Sequence, residues 1–488
     1  MQKEISERNK KIILVVLITG CFLSTLNQTL LNVAMSNLMK VFDVTAATVQ
    51  WLSTGFMLIN GVLVPITAFL MKRFTTRQLF ISSMLSLFIG TVLCACAMNF
   101  SILLTGRMIQ AVGAGIIMPL MMTIILYLYP SEKRGSIMGT IGFAIIFAPA
   151  IAPTLSGFII EYVSWRWLFI GLAPFIFIVI ILAIKYLMNV ANTTKAKLDI
   201  VSVILSTIGF GCVIYGFSSA GSKGWNHPVV IITITIGIIV TALFWLRQIK
   251  SNDPLLNLSV FKYKVFTLTS VINVLITMIM YADLILLPIY LQNGRGFTAF
   301  ESGLLLLPGA VINAFLSPIT GKMFDKYGAK PLFITGLICV IISMWGVIDL
   351  TDSTTYMYLM VRTIILRIGL SFISMPLHTA SLNALPIELG SHGSAVNNTI
   401  RQLAGAIGTA VIITVYTIQS TSHISQLSSG NGNITATQVT KLSSIFSSSD
   451  AYVFMLVLSF VALIIACFTP KKVIIKDTKV NLQTKNDC

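Results

Sequence analysis

Apolar runs of roughly 20 residues, the length needed to cross a bilayer as a helix, recur along the chain between short polar clusters. Fourteen such runs stand out: 12–34, 50–71, 79–98, 102–126, 136–160, 166–187, 200–219, 228–247, 265–291, 301–321, 331–350, 356–380, 393–418 and 449–469. In lipid each run must satisfy its own backbone hydrogen bonds, so each predicts a helix. The weak alternation of a membrane β-barrel is absent. The run 200–219 is rich in Gly and Ser, and a re-entrant reading of it would leave thirteen spans. Two spans within 188–263 separate two blocks of six. The pattern therefore predicts an all-α polytopic membrane protein. Its parts are a six-helix bundle over 1–190, two linker spans over 191–263, a second six-helix bundle over 264–470 and a basic tail over 471–488. The Ser, Thr, Asn and Gly of 419–448 read as a flexible outer loop.

Composition agrees with this class. Hydrophobic residues make up 56% of the chain and charged ones 10%, with mean hydropathy +0.90; soluble domains carry about 25% charged residues. With the N-terminus inside, 24 of the 33 Lys and Arg fall in cytoplasmic segments, five in outer loops and four within spans. That bias predicts an even number of spans with both ends in the cytoplasm. It also accounts for the net charge of +17 without nucleic acid, leaving anionic lipid as the basic partner. Lys3, Arg8, Lys10 and Lys11 precede the first run as in a signal peptide, but that run continues through Asn27, Gln28 and Asn32 and reads as an uncleaved span. Six of the seven cysteines lie in apolar runs and Cys488 ends the chain, so they read as small buried hydrophobes rather than a disulfide framework.

Few residues carry candidate chemistry. Fifteen of the sixteen acids sit in loops, tails or span edges; Asp283 alone lies well inside a span. A carboxylate in hydrocarbon costs at least ~2.5–3.5 kcal/mol, so it must face protein or water. It is a candidate proton site, roughly 12 Å from the outer end of its span by helical rise. Arg362, roughly 9 Å from the same face, is its candidate structural partner, so proton carrier and ion pair remain open together. Arg107 and Gln110 share a helix face by spacing. Gly139, Gly142, Pro149, Pro153 and Gly157 predict a small-residue, kinked face on the fifth span for close packing. There is no Gly-x-x-x-x-Gly-Lys-[Ser/Thr] loop, no metal-ligand cluster and no nucleophile–base arrangement, and the four histidines are scattered. Neither an enzyme nor a cofactor is predicted.

The motifs identify a family. The first span reads Leu26-Asn27-Gln28-Thr29-Leu30-Leu31-Asn32-Val33-Ala34, and the fourth carries Arg107-x-x-Gln110-x-x-Gly113-x-Gly115. The fifth carries Ala148-Pro149-x-x-Ala152-Pro153-x-x-Ser156-Gly157, followed by Trp165-Arg166-Trp167. The thirteenth carries Arg401-Gln402-x-Ala404-Gly405. Gly321-x-x-x-Asp325-Lys326-x-Gly328-x-Lys330 follows the tenth; the matching place after the second span has Lys72 where the acid would stand, and the two copies imply an internal repeat. From 12 to about 470 the chain resembles the fourteen-helix drug:proton antiporter branch of the major facilitator superfamily. The resemblance implies a proton-driven exporter of small amphipathic molecules in the bacterial cytoplasmic membrane, acting as a monomer by alternating access. It implies a central cavity lined by spans 1, 4, 9 and 12, with Asn27, Gln28, Arg107, Gln110, Arg362 and Arg367 as candidate substrate contacts. Asp325, Lys326, Gly328, Pro149, Pro153, Gly157 and Arg401 are implied as gating positions. Asn27 stands where the branch usually has Asp; an amide carries no exchangeable charge, so proton coupling falls to Asp283. With one buried acid and several intramembrane arginines, neutral, monocationic or zwitterionic amphipaths are expected rather than dications. A dedicated exporter of a lipid, fatty acid or metabolite is the alternative on the same fold, and a non-transporting receptor a third reading.

Overall fold

The computed structural model describes residues 7–470 except 45, 50, 191–198, 252–253, 298 and 431–434. The predicted tail 471–488 lies outside the described residues, as does the side chain of Pro153. Fourteen long helices follow in order: α1 (Glu7–Phe42), α2 (Trp51–Arg73), α3 (Thr76–Ala95), α4 (Phe100–Leu128), α5 (Ser131–Tyr162), α6 (Ala173–Tyr186), α7 (Ile200–Lys223), α8 (Pro228–Lys250), α9 (Lys264–Ile289), α10 (Ala299–Tyr327), α11 (Ala329–Trp345), α12 (Tyr356–Asn383), α13 (Gly390–Gly430) and α14 (Ala436–Cys467). No strand occurs among the described residues. Among the described residues twelve helices are long and apolar enough to cross a membrane; the apolar stretches Trp51–Leu63 and Ala329–Trp345, in α2 and α11, are shorter.

Polar residues between the runs set the helix starts. Asn99 accepts from Ile102 N to cap α4, Thr355 accepts from Tyr358 N to cap α12, and Thr75 with Gln78 and Thr435 with Gln438 form reciprocal capping boxes on α3 and α14. Gly328, at φ +84°, makes the left-handed turn that separates α10 from α11, a conformation that disfavours any side chain. Asp199 caps α7 and binds Arg247 of α8 at 2.8 and 3.0 Å; the guanidinium draws its carboxyl down to about 2. Stability from a depressed carboxylate is present above its unfolded value and is lost only as pH falls through about 2, so this tie persists at any physiological pH.

Buried apolar side chains form two main clusters. One draws on residues 13–190, with Leu382 as the visitor from the other half; the other lies chiefly between 255 and 466. Helices α7 and α8 pack on each other, and α7 packs against α2 and α13. Their outer faces present Ile231, Ile232, Ile238, Ile239 and Leu246, as a lipid-facing surface requires.

The expectation of a flexible loop over 419–448 is corrected: α13 runs on to Gly430 and α14 begins at Ala436. The polar residues that suggested a loop are paired between the two helices. Tyr416 donates to Ser444, Ser420 and Ser443 bond each other, and His423 meets Asp450 at 2.8 Å. Within α13, Thr417 and Thr421 donate back to Ile413 and Thr417 carbonyls.

The broadest helix–helix contact joins the halves along α5 and α10, which run antiparallel. Gly135, Gly139 and Gly142 of α5 lie on Gly321, Ser317 and Pro318 of α10; a Cβ on Gly139 would stand 2.9 Å from Pro318 Cα and 3.1 Å from Gly321 Cα. Absence of side chains is what lets the backbones approach. The seam continues to Phe143 and Phe315, whose rings meet edge to face at 5.3 Å. Farther along, Gly157 on α5 and Gly303 on α10 face open space. The predicted small-residue face therefore packs at Gly139 and Gly142 but not at Gly157. Gly139→Val should lower transport at least about tenfold with normal membrane expression, since overpacking costs about 1–3 kcal/mol at a close contact. Gly157→Val should leave membrane expression and the thermal midpoint near wild type, as substitutions at open positions do.

Candidate functional site

Four polar arrangements lie along the helices at membrane depth. The first joins α1, α3 and α4. Arg107, fully buried, donates through Nη1 to Asn27 Oδ1 at 3.0 Å, Asn27 O at 3.2 Å and Gln110 Oε1 at 2.9 Å. Gln110 donates onward to Thr91 Oγ1 at 2.9 Å, and the guanidinium lies 4.5 Å from the Phe56 ring centroid. The predicted Arg107–Gln110 face is thus formed. No carboxylate belongs to the cluster, and Arg107 Nε, Arg107 Nη2 and Asn27 Nδ2 are buried without hydrogen-bond partners. Gln28 beside it is half-buried and makes no hydrogen bond among the described residues.

The second arrangement joins α9, α11, α12 and α14. Asp283 Oδ1 accepts from Arg362 Nη1 at 2.6 Å and from Tyr452 OH at 3.3 Å. Arg362 also donates through Nε to Ser343 O at 3.2 Å, and its guanidinium lies 4.8 Å from the Tyr452 ring centroid. Asp283 is 1% exposed and Arg362 3%. The predicted partnership is therefore a direct, dry ion pair, with Asp283 Oδ2 left unpartnered. Arg367, one turn beyond Arg362, lies against Gly309 of α10 with its Nε unpartnered.

These two arrangements occupy matching places. Asn27 and Asp283 sit near the same depth of the first helix of each half, 20 and 19 residues from the starts of α1 and α9. Arg107 and Arg362 sit seven and six residues into the fourth helices, α4 and α12. One half pairs its buried arginine with a carboxylate and the other with an amide.

The third arrangement closes one end of the seam. Asp325 on α10 accepts from Gly135 N at 2.8 Å and Ser136 N at 2.7 Å on α5. Nearby, Arg134 donates to Asn383 Oδ1 of α12 at 2.9 Å and to Leu126 O at 2.9 Å. Lys326 is exposed, over the ring of its neighbour Tyr327. Pro149 is half-buried within an unbroken α5.

The fourth is a narrow gap where the halves meet, with room in this state for little more than a water molecule. Met118, Pro119 and Met122 of α4 face His378 and Leu382 of α12 and Ser394, Asn398 and Arg401 of α13. Ser394 donates across it to Pro119 O at 3.3 Å. Arg401, grouped by sequence with the gating positions, lines this cavity. His378, Asn398 and Tyr452 were not singled out from sequence; the legible signal for His378 is an ionisable side chain inside a predicted span.

Two halves with matching buried arginines, joined by a glycine seam and a shared cavity, define a polytopic helical carrier. The profile of the Major Facilitator Superfamily matches residues 17–409, and the chain belongs to that superfamily. It is 50% identical to the uncharacterized MFS-type transporter YhcA of Bacillus subtilis over 87% of this chain and 80% of that protein. It is 43% identical to the lincomycin resistance protein LmrB of B. subtilis over 83% and 85%, and 27% identical to the multidrug export protein EmrB of Escherichia coli over 87% and 84%. The solved proton:xylose symporter XylE superposes with TM-score 0.62 at 16% identity, covering 96% of this chain and 98% of XylE.

Asn27→Leu should lower the thermal midpoint of the purified protein, since a hydrogen bond to a buried charge contributes about 1.5–3 kcal/mol. Asn27→Asp should keep or raise that midpoint by supplying the missing carboxylate. Unfolding followed by intrinsic fluorescence in detergent checks both, and equal loss in the two variants contradicts the assignment.

Proposed function

We propose that this protein exports small amphipathic molecules, drugs among them, across the bacterial cytoplasmic membrane in exchange for protons. Its two six-helix bundles, with α7 and α8 as an added pair making fourteen spans, rock about the α5–α10 seam. The observation that carries the alternating-access reading is that Asp325 ties this seam to Gly135 and Ser136 at one end, whereas a Cβ on Gly157 or Gly303, toward the other, would meet nothing. With both termini cytoplasmic, the end tied by Asp325 is the inner one. Similarity to LmrB and EmrB supports efflux as the direction and drugs as the cargo.

Asp283 is the proposed proton site. In this state Arg362 donates directly to its carboxylate at 2.6 Å. Protonation would remove that attraction and free Arg362, and α12 carries both Arg362 and the cavity residue His378. Occupancy of the cavity and of Asp283 would thus bias one helix. Inward proton movement supplies ~2.3 kcal/mol per 100 mV for each charge. Asp325 acts as the latch: two hydrogen bonds from α5 backbone to its carboxylate hold the inner end shut.

Reconstituted protein should expel lincomycin or a fluorescent drug when a proton gradient is imposed. Asp283→Asn should lower gradient-driven export at least about tenfold while substrate–substrate exchange persists. Because an unpartnered buried Arg362 costs about 3–5 kcal/mol, the companion Asp283→Asn/Arg362→Met separates misfolding from lost coupling. Gradient-driven export by that well-folded double variant at the wild-type rate would remove Asp283 from the mechanism.

A further inference from the structure

Three buried arginines in this fold have several fixed partners each: Arg362 has Asp283 and Ser343, Arg107 has Asn27 and Gln110, and Arg134 has Asn383 and two carbonyls, while Arg367 lies against Gly309 with its Nε unpartnered. Arg401 differs. It lines the cavity between the halves, and it donates to Asn398 Oδ1 at 3.3 Å, one turn back on its own helix. No ion pair to it occurs among the described residues. Opposite, His378 has no hydrogen-bond partner among the described residues. None of the residues lining the cavity carries a carboxylate. A guanidinium kept at membrane depth without an acidic partner is costly unless something anionic comes to it.

We propose that this gap, widened as the halves part, binds the substrate by a carboxylate or a comparable single anionic group, with Arg401 as the counter-ion. The inference rests on the export reading and specifies its substrate class. Three helices each contribute an i, i+4 pair, so each pair shares a face: Ser394 and Asn398 on α13, His378 and Leu382 on α12, Met118 and Met122 on α4. Arg401 offers a planar fork of donors suited to two carboxylate oxygens. His378 and the Asn398 amide supply further donors beside it. Met118, Met122 and Leu382 form the apolar wall, and methionine adapts to tails of varied shape. The preferred cargo is an amphipath whose anionic end docks on α13 and whose body lies against α4. A zwitterion fits; a simple monocation meets Arg401 with like charge and binds worse. Such a ligand touches both halves, joined here by Ser394 and Pro119, and so binds the two states of the carrier differently.

Two dyes sharing one body isolate the head group: rhodamine B, which has a free carboxylate, and its methyl ester, which is a cation. Lincomycin serves as a reference cargo. Uptake into inside-out proteoliposomes would be measured for wild type, Arg401→Gln, Arg401→Lys and His378→Gln. Wild type should favour the acid over the ester by about tenfold or more in apparent KM, in line with a charged hydrogen-bonded pair. Arg401→Gln should abolish that preference by weakening the acid and improving the ester, Arg401→Lys should restore part of it, and His378→Gln should weaken the acid by a smaller factor. Equal loss of acid and ester in Arg401→Gln, or a wild-type preference for the ester, overturns the inference. Export of lincomycin with neither dye moved also overturns it, whereas failure to move any of the three overturns the export reading beneath it.

Discussion

A charge carried into the membrane must find its partner inside the protein, and this requirement organises the molecule. Arg362 meets Asp283 at 2.6 Å and rests on the Tyr452 ring; Arg107 meets Asn27 and Gln110 and rests on Phe56. Each set ties the first helix of a half to the fourth. The halves are therefore internally cross-braced by polar contacts that lipid cannot replace. Between the halves the chemistry changes to glycine packing and a few hydrogen bonds at one end. Rigid halves with a weaker seam are what rocking about a central cavity needs.

The unequal pairing of the two arginines gives the halves different work. The amide at Asn27 holds Arg107 by one nitrogen and brings no acid to the first half. The carboxylate at Asp283 gives the second half a buried acid, the proposed proton site, and α12 links that pair to the cavity. The seam sits between them, with Asp325 on the second half gripping the backbone of α5 on the other.

Much of this was legible in the chain because membrane helices announce themselves by length and apolarity. The positions of the helices followed from hydropathy. The Arg107–Gln110 contact followed from spacing, and Asp283 named Arg362 as its partner because both lie at similar depth in apolar runs. The limits have physical causes. Residues 419–430 and 436–448 read as loop because Ser and Thr favour turns in isolation, yet here they bond across α13 and α14. Tyr452 is an aromatic among many in an apolar run, and only its placement over Arg362 marks it. His378 and Arg401 lie 23 residues apart on separate helices, and the cavity they share with Met118 exists only once the two halves are assembled.

The central claim is that the α5–α10 seam is the hinge of alternating access. Pulsed electron–electron distances report it directly, with one spin-label pair at Glu132 and Lys326 near the end tied by Asp325 and another at Tyr162 and Glu301 near the other end, all exposed positions. On adding cargo and lowering pH, the first distance should lengthen while the second shortens. Distances that stay fixed, or that change in the same direction at both ends, would contradict the account.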